Sequence, residues 1–379
     1  MIYIFAFFNA FILIYPLYAV MFTDQGLSPA QISLLFIVWS LTAFFLEVPS
    51  GAIADKFPRK YVLVVALLFH AATFLAWLLM PNFTGVLIGF LLWGINSALA
   101  SGTQEALIYD ELKRDGNEKQ YAKVTGRVEA LDILGIIAAG VVAAALAGAG
   151  YTTILLLSIA AVLVSAAAIM LLPKAKPIET TEETEYWSYL KDGITLALRN
   201  RKILLLVLFL SLATGFASVD EFFNLLFNEQ GMSNEMIALW MGIVFAFGGV
   251  ASFFAHKFEG RQFPIALSLI VWAVFLFLAT VLPAPVAPIG IGLYVALYYT
   301  IKILFNTRLQ HELNDKNRAT ATSVAGFLAE AGAIGSFIIF AIFAEGVSYA
   351  FAFQVVAVVI GCVGVLYGVQ YAAGKKRAG

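Results

Sequence analysis

Charge and cysteine are both scarce in this chain. Its single cysteine, Cys362, lies in the last apolar run, so no intrachain disulfide can form. Only 12% of the 379 residues are charged, about half the share of a soluble domain. That excludes an aqueous globular protein and leaves a bilayer as the solvent. Three scattered histidines and one cysteine are too few for a zinc cluster. No G-x-x-x-x-G-K-[ST] loop is present for an ATP-driven pump, and no G-x-S-x-G elbow for a hydrolase. Neither an enzyme nor a cofactor is therefore expected. A net charge of −1 offers no basic face to nucleic acid, and the alternating ten-residue strands of porins are absent.

What fills the chain is apolar. Hydrophobic residues make up 61%, and the mean hydropathy is +0.90. Runs of about 20 residues, each able to cross ~30 Å of hydrocarbon as a helix, recur throughout. The pattern predicts an all-α membrane protein with twelve spans. They fall near 1–22, 30–54, 61–80, 84–110, 123–147, 152–173, 203–227, 234–255, 263–282, 286–312, 318–344 and 347–371. The first run lacks a basic leader segment, so it reads as a span and not as a cleaved signal. All 23 Lys and Arg group with the even-numbered loops and the C-terminal tail, and the odd-numbered loops hold none. The positive-inside rule then places both termini in the cytoplasm, for a multi-pass protein of the cytoplasmic (inner) membrane.

A polar stretch, PKAKPIETTEETEYWSYLKDG, divides the chain near its middle. The expected organisation is a six-helix bundle over 1–173, a cytoplasmic linker with an amphipathic helix over 174–202, and a second six-helix bundle over 203–379. The halves repeat. FTDQGLSPAQISL begins at Phe22 and FNEQGMSNEMIAL at Phe227, so Asp24 matches Glu229, Gln25 matches Gln230, Gly26 matches Gly231, and Ser28 matches Ser233. Each stretch forms the first outer loop of its half. Six spans per half make the repeats parallel, an arrangement that in transporters sets a substrate site near mid-membrane.

The loop after the second span, GAIADKFPRK, resembles the G-x-x-x-D-[RK]-x-G-[RK]-[RK] motif of the major facilitator superfamily. Gly51, Asp55, Lys56, Arg59 and Lys60 match it, while Pro58 stands where glycine is usual. SGTQEALIYDELK at the end of span 4 and NRATATS entering span 11 are similar to bacterial members as well. Span 5 has Gly135 and Gly140 but lacks the Gly-Pro of the antiporter motif typical of drug/proton exchangers. The resemblance implies two bundles that rock about a central cavity. It also implies that Asp55 meets the N-terminus of span 11, near Arg318 and Thr320, as a latch that holds only while the cytoplasmic side is closed. A carboxylate at a helix N-terminus is stabilised by about 0.3–1 kcal/mol, more when partly buried. The plainer alternative is that Lys56, Arg59 and Lys60 only set topology and touch lipid headgroups.

Charges within spans are costly and mark function by default. Asp132, Lys302 and Glu330 fall near mid-depth, Glu47 and Glu105 nearer the cytoplasmic ends, and Asp220 and Glu221 in the outer part of span 7. Glu129 shares a helix face with Asp132. Acids outnumber the one deep cation, which fits proton coupling through Asp132 or Glu330 or the binding of a cationic solute. A structural Lys302–Glu330 or Lys302–Asp132 pair is the competing reading. Lys302 with Tyr298 and Asn306 marks a polar face of span 10, and Asn9 and Asn224 are further candidates for a cavity lining. His70 reads as a packed or cavity-edge histidine. The function expected is proton-coupled export of a small organic or amphipathic compound by a monomer in contact with lipid. Alternatives are proton-coupled metabolite uptake, and a non-transporting receptor or lipid-handling protein on the same scaffold.

Overall fold

The computed structural model describes residues 1–173, 201–258, 265–312 and 315–378. Every regular element among them is helical. The linker expected to carry an amphipathic helix, 174–202, lies outside the described residues apart from its last two. Ten helices are long and apolar enough to cross a membrane. The two remaining positions hold a 17-residue apolar helix, Ile265–Val281, and a first span divided into two pieces.

The chain clusters into two compact units, 1–183 with 233–242, and 184–232 with 243–379. Unit 1 contains α1 (Ile2–Ala10), α2 (Tyr18–Asp24), α3 (Pro29–Lys56), α4 (Arg59–Leu79), α5 (Phe83–Ala100), α6 (Thr103–Arg114), α7 (Tyr121–Leu146) and α8 (Tyr151–Met170). Helix starts follow local chemistry. Ser28 opens α3 with a capping box closed by Gln31 and with Pro29 in the first turn. The Asn82 side chain caps α5 by accepting from the Gly85 N–H.

Unit 2 contains α9 (Arg201–Ala217), a 3-10 turn (Ser218–Phe222), α10 (Phe223–Glu229), α12 (Ile265–Val281), α13 (Ala287–Glu312), α14 (Asp315–Gly346) and α15 (Tyr349–Ala378). Helix α11 (Asn234–Phe254) begins among the residues grouped with unit 1. Packing repeats between the units. In unit 1, α1 lies on α7, α4 on α5, and α4 on α8; in unit 2 the counterparts α9 and α14, α12 and α13, and α12 and α15 do the same.

Glycines permit the closest of these crossings. A Cβ at Gly94 on α5 would stand 2.6 Å from Thr42 Cβ and 3.0 Å from the Trp39 carbonyl on α3. At Gly215 on α9 it would stand 2.7 Å from Gly332 Cα on α14. Small residues at such points let backbones approach where apolar lipid gives helices little other reason to associate.

The repeated loops fold alike. After α2 the Gly26 N–H bonds to the Thr23 carbonyl and the Leu27 N–H to Phe22; after α10, Gly231 bonds to Asn228 and Met232 to Phe227. Both are Schellman motifs with glycine in the left-handed region, at φ 86° and 81°. Their acids reach the same place in each half, the start of the sixth helix. The Tyr151 hydroxyl, on the first residue of α8, donates to Asp24 at 2.5 Å. Glu229 accepts the N–H groups of Tyr349 and Ala350 at the head of α15, at 2.9 and 2.8 Å.

Three runs read as continuous in the sequence are interrupted in the structure. The first, expected over 1–22, loses its helix between Ala10 and Tyr18, where Pro16 lacks an N–H and the residue before it disfavours helix. The fourth, expected over 84–110, breaks at Ser101–Gly102, with Gly102 at φ 67°. The seventh, expected over 203–227, tightens into the 3-10 turn at Ser218–Phe222.

Candidate functional site

The interruptions of the first and seventh spans occupy matching positions. With the repeat offset carried by Phe22 and Phe227, Tyr15 corresponds to Asp220 and Phe11 to Phe216. An interrupted backbone inside a membrane must be re-satisfied by neighbouring side chains. In unit 1 the Ser158 hydroxyl of α8 accepts the Ile14 N–H at 3.0 Å. The Tyr15 N–H turns to the Ile12 carbonyl, so Phe11 loses its i+4 helical donor. In unit 2 the Tyr294 hydroxyl of α13 donates to the Phe216 carbonyl at 3.0 Å, and Ser336 of α14 donates to Gly215.

Rings gather around the break in unit 1. The Tyr15 hydroxyl is 3.2 Å from Nε2 of His70 on α4, and His70 is only 3% exposed. The Tyr15 ring stacks on Trp93 of α5 at 5.3 Å and 4°, and Trp93 in turn lies parallel to Phe90 at 5.8 Å and 2°. Trp39 of α3 leans on Trp93 at 5.6 Å and donates its indole N–H to the Ser97 hydroxyl. His70, Phe74, Trp77 and Phe90 are buried behind; Tyr15, Trp39 and Trp93 are half-buried, although they come from three different segments.

In unit 2 the break carries Asp220 and Glu221. Thr214 on α9 bonds to the Tyr298 hydroxyl, and Asp220 lies near Tyr294, Tyr298 and Tyr299 on α13. Trp272 stacks on Tyr294 at 4.8 Å. One turn beyond Asp220, Asn224 is 1% exposed, and its carbonyl oxygen has no hydrogen-bond partner among the described residues.

The remaining sequence candidates fall as follows. Asp132 is half-buried on α7, with the exposed Glu129 three residues before it. Glu330 is half-buried on α14, and Asn9 half-buried on α1. Lys302 and Asn306 share an open face of α13, with Lys302 Nζ 5.8 Å from the centre of the Tyr298 ring. Glu105 is exposed at the start of α6. Glu47 accepts the Ser101 hydroxyl at 2.9 Å, which ties α3 to the break in the fourth span.

The basic loop also has partners inside unit 1. Arg59 pairs with Asp110 of α6 at 2.6 Å, and the buried Lys60 donates to the Leu172 carbonyl after α8. Gly51 is exposed within α3, and Lys56 is exposed as its last residue. The side chains of Asp55, Arg318 and Thr320, needed to judge a latch, lie outside the described residues.

Sequence reasoning passed over Tyr15, Trp39 and Trp93. The available signals were Pro16 within an apolar run and the repeat offset that sets Tyr15 against Asp220.

Comparison with known proteins follows the same lines. The family model described as Major Facilitator Superfamily matches residues 1–336. A mutant of the nucleoside transporter NupG superposes with a TM-score of 0.78 at 16% identity, covering 98% of both chains. A D-xylose-proton symporter gives 0.75 at 15% identity, covering 97% of this chain and 95% of its own. A bacterial homologue of the iron transporter ferroportin, in an inward-facing state, gives 0.68 at 15%, covering 97% and 96%. No curated protein matches by sequence.

Proposed function

Because the chain belongs to the major facilitator superfamily and is a multi-pass membrane protein, we propose that it is a secondary transporter exporting a small organic solute by alternating access, driven by protons. The observation that carries this reading is the pair of breaks in the first helix of each half, at residues 11–17 and 218–222. Interrupted helices at corresponding places in two repeats are where transporters bind solute and coupling ion, because irregular backbone is tolerated only beside protein or a wet cavity.

Each half supplies a different chemistry. Unit 1 brings rings and the Tyr15–His70 pair; unit 2 brings Asp220, Glu221 and the Asn224 carbonyl, which has no hydrogen-bond partner among the described residues. Asp220 joins Asp132 and Glu330 as a group able to carry the coupling proton, since all three are acids within spans. We place the protein in the cytoplasmic membrane with both termini inside, working as a monomer. Asp55 is assigned as the latch of the inward gate, and Asp55→Asn is expected to raise cysteine labelling of the inner face.

Two structures with similar folds are a nucleoside transporter and a D-xylose-proton symporter, which makes proton-driven uptake the second reading. Proteoliposomes with an imposed pH gradient and a broad solute panel test both. Flux against an inward proton gradient supports export, and flux with it supports uptake. If the gradient changes no solute's flux, coupling is wrong. Among Asp132→Asn, Glu330→Gln and Asp220→Asn, at least one is expected to lose gradient-driven flux while keeping exchange.

A further inference from the structure

We propose that the Tyr15–Trp93 stack at the break in the first span is the subsite for a planar aromatic or heteroaromatic ring of the transported solute. This rests on the transport reading and gives it a substrate class.

Ring clusters in proteins are usually core, and most of unit 1's are. Phe74, Trp77 and Phe90 are sealed, with exposures of 0 to 1%. Tyr15, Trp39 and Trp93 differ in three ways. They remain half-buried although they converge from the broken first span, α3 and α5, so the partly open rings come from three segments and not from one outward helix face. Their planes are ordered: Phe90, Trp93 and Tyr15 form two parallel pairs, within 2° and 4°, running from a sealed ring to half-open ones at the break. A parallel array that ends half-open accepts another flat ring by continuing its own geometry, with a favourable quadrupole fit in offset stacking.

The third difference is polarity beside the stack. The Tyr15 hydroxyl is held at His70, and the neighbouring Phe11 carbonyl has lost its helical donor. A flat ring bearing a hydrogen-bonding edge matches both features. A saturated ring of equal size keeps the hydrogen-bonding edge but loses the flat face that continues the stack. An aliphatic or sugar-like solute would gain less, since it lacks the offset-stacking quadrupole fit.

The test measures binding and needs no gradient, so it stands apart from coupling and direction. The full chain in nanodiscs is titrated by tryptophan fluorescence and calorimetry with isoquinoline, indole, purine and quinoline-2-carboxylate. Each probe is matched to its ring-saturated counterpart, so that charge and size are sampled while planarity is varied. At least one planar member is expected to bind saturably and about tenfold or more tighter than its saturated partner, as stacking on an aromatic side chain would give. In Trp93→Leu and Tyr15→Leu that ratio should fall to about twofold or less. Trp93→Phe should retain most of it, and so should Trp240→Leu, which is remote in sequence. Variants are compared only where gel filtration shows a single folded species; if Trp93→Leu fails there, Tyr15→Leu and Trp39→Leu carry the comparison.

Saturable binding without planar preference, a preference unchanged in both leucine variants, or no saturable binding by any planar probe would overturn the assignment. Transport could still be proton-driven in each of those cases. Conversely, ring-selective binding with no gradient-driven flux would leave the subsite standing and remove the coupling.

Discussion

Tyr15 and His70 meet at 3.2 Å across the break in the first span, a hydroxyl from an irregular backbone against a sealed imidazole. His70 has little access to water, so its ring nitrogen depends on that hydroxyl. Tyr15→Phe is expected to lower stability by about 1–3 kcal/mol, the cost of leaving a buried polar group unmet. Adding His70→Leu should recover part of the loss, because two apolar partners leave nothing unsatisfied. Thermal unfolding of the purified single and double variants checks this; equal losses in both would refute the dependence.

Gly94 governs the approach of α3 to α5, and with it the meeting of Trp39 and Trp93. Gly94→Ala is expected to cost about 1–3 kcal/mol through overpacking against Thr42 and the Trp39 backbone. Gly126, with nothing within 4 Å of an added Cβ, serves as the control and should tolerate alanine. Melting temperatures of the pair decide the matter.

Glu229 caps the head of α15 with both oxygens. Glu229→Ala should lose about 0.5–2 kcal/mol, the usual range for a helix cap, and Glu229→Gln less, since the amide keeps one acceptor. Hydrogen exchange at Tyr349 and Ala350 should rise in the alanine variant and not at the head of α8.

The Arg59–Asp110 pair is partly buried, at 21% and 13% side-chain exposure. A double-mutant cycle with Arg59→Ala and Asp110→Ala is expected to return a coupling of about 0.5–3 kcal/mol. A value near zero would mean that Arg59 serves topology alone.

Much of this architecture was legible because bilayers make strong demands. Apolar run length alone located the ten membrane-length helices among the described residues. The FTDQG and FNEQG stretches read as twins, and they fold as twins down to the same two hydrogen bonds after each glycine. The interruptions were not legible, because hydropathy counts side chains and is blind to backbone. Phe11 to Leu17 is as greasy as the helices beside it, and only Pro16 hints at a stop. The Ser101–Gly102 pair was a turn signal inside a long apolar pattern, and it went unused. The aromatic site escaped for a related reason. Rings in a chain with 33 Phe residues look alike until folding sets a few of them parallel and leaves them half-open. The charged candidates, by contrast, were easy to name and hard to rank, since sequence gives depth along a span but not which face a carboxylate occupies.

The break also divides the first span into unequal parts. Helix α2 is seven residues, about 10 Å long at 1.5 Å per residue, pinned below by an irregular strip and above by a glycine turn. Its residues Tyr18 to Phe22 are nonetheless sealed, 0–4% exposed, with Tyr18 and Phe22 packed on Phe36, Trp77 and Phe90. What holds this short helix in place is therefore ring packing and the turns at its two ends, not a continuous backbone running on from α1.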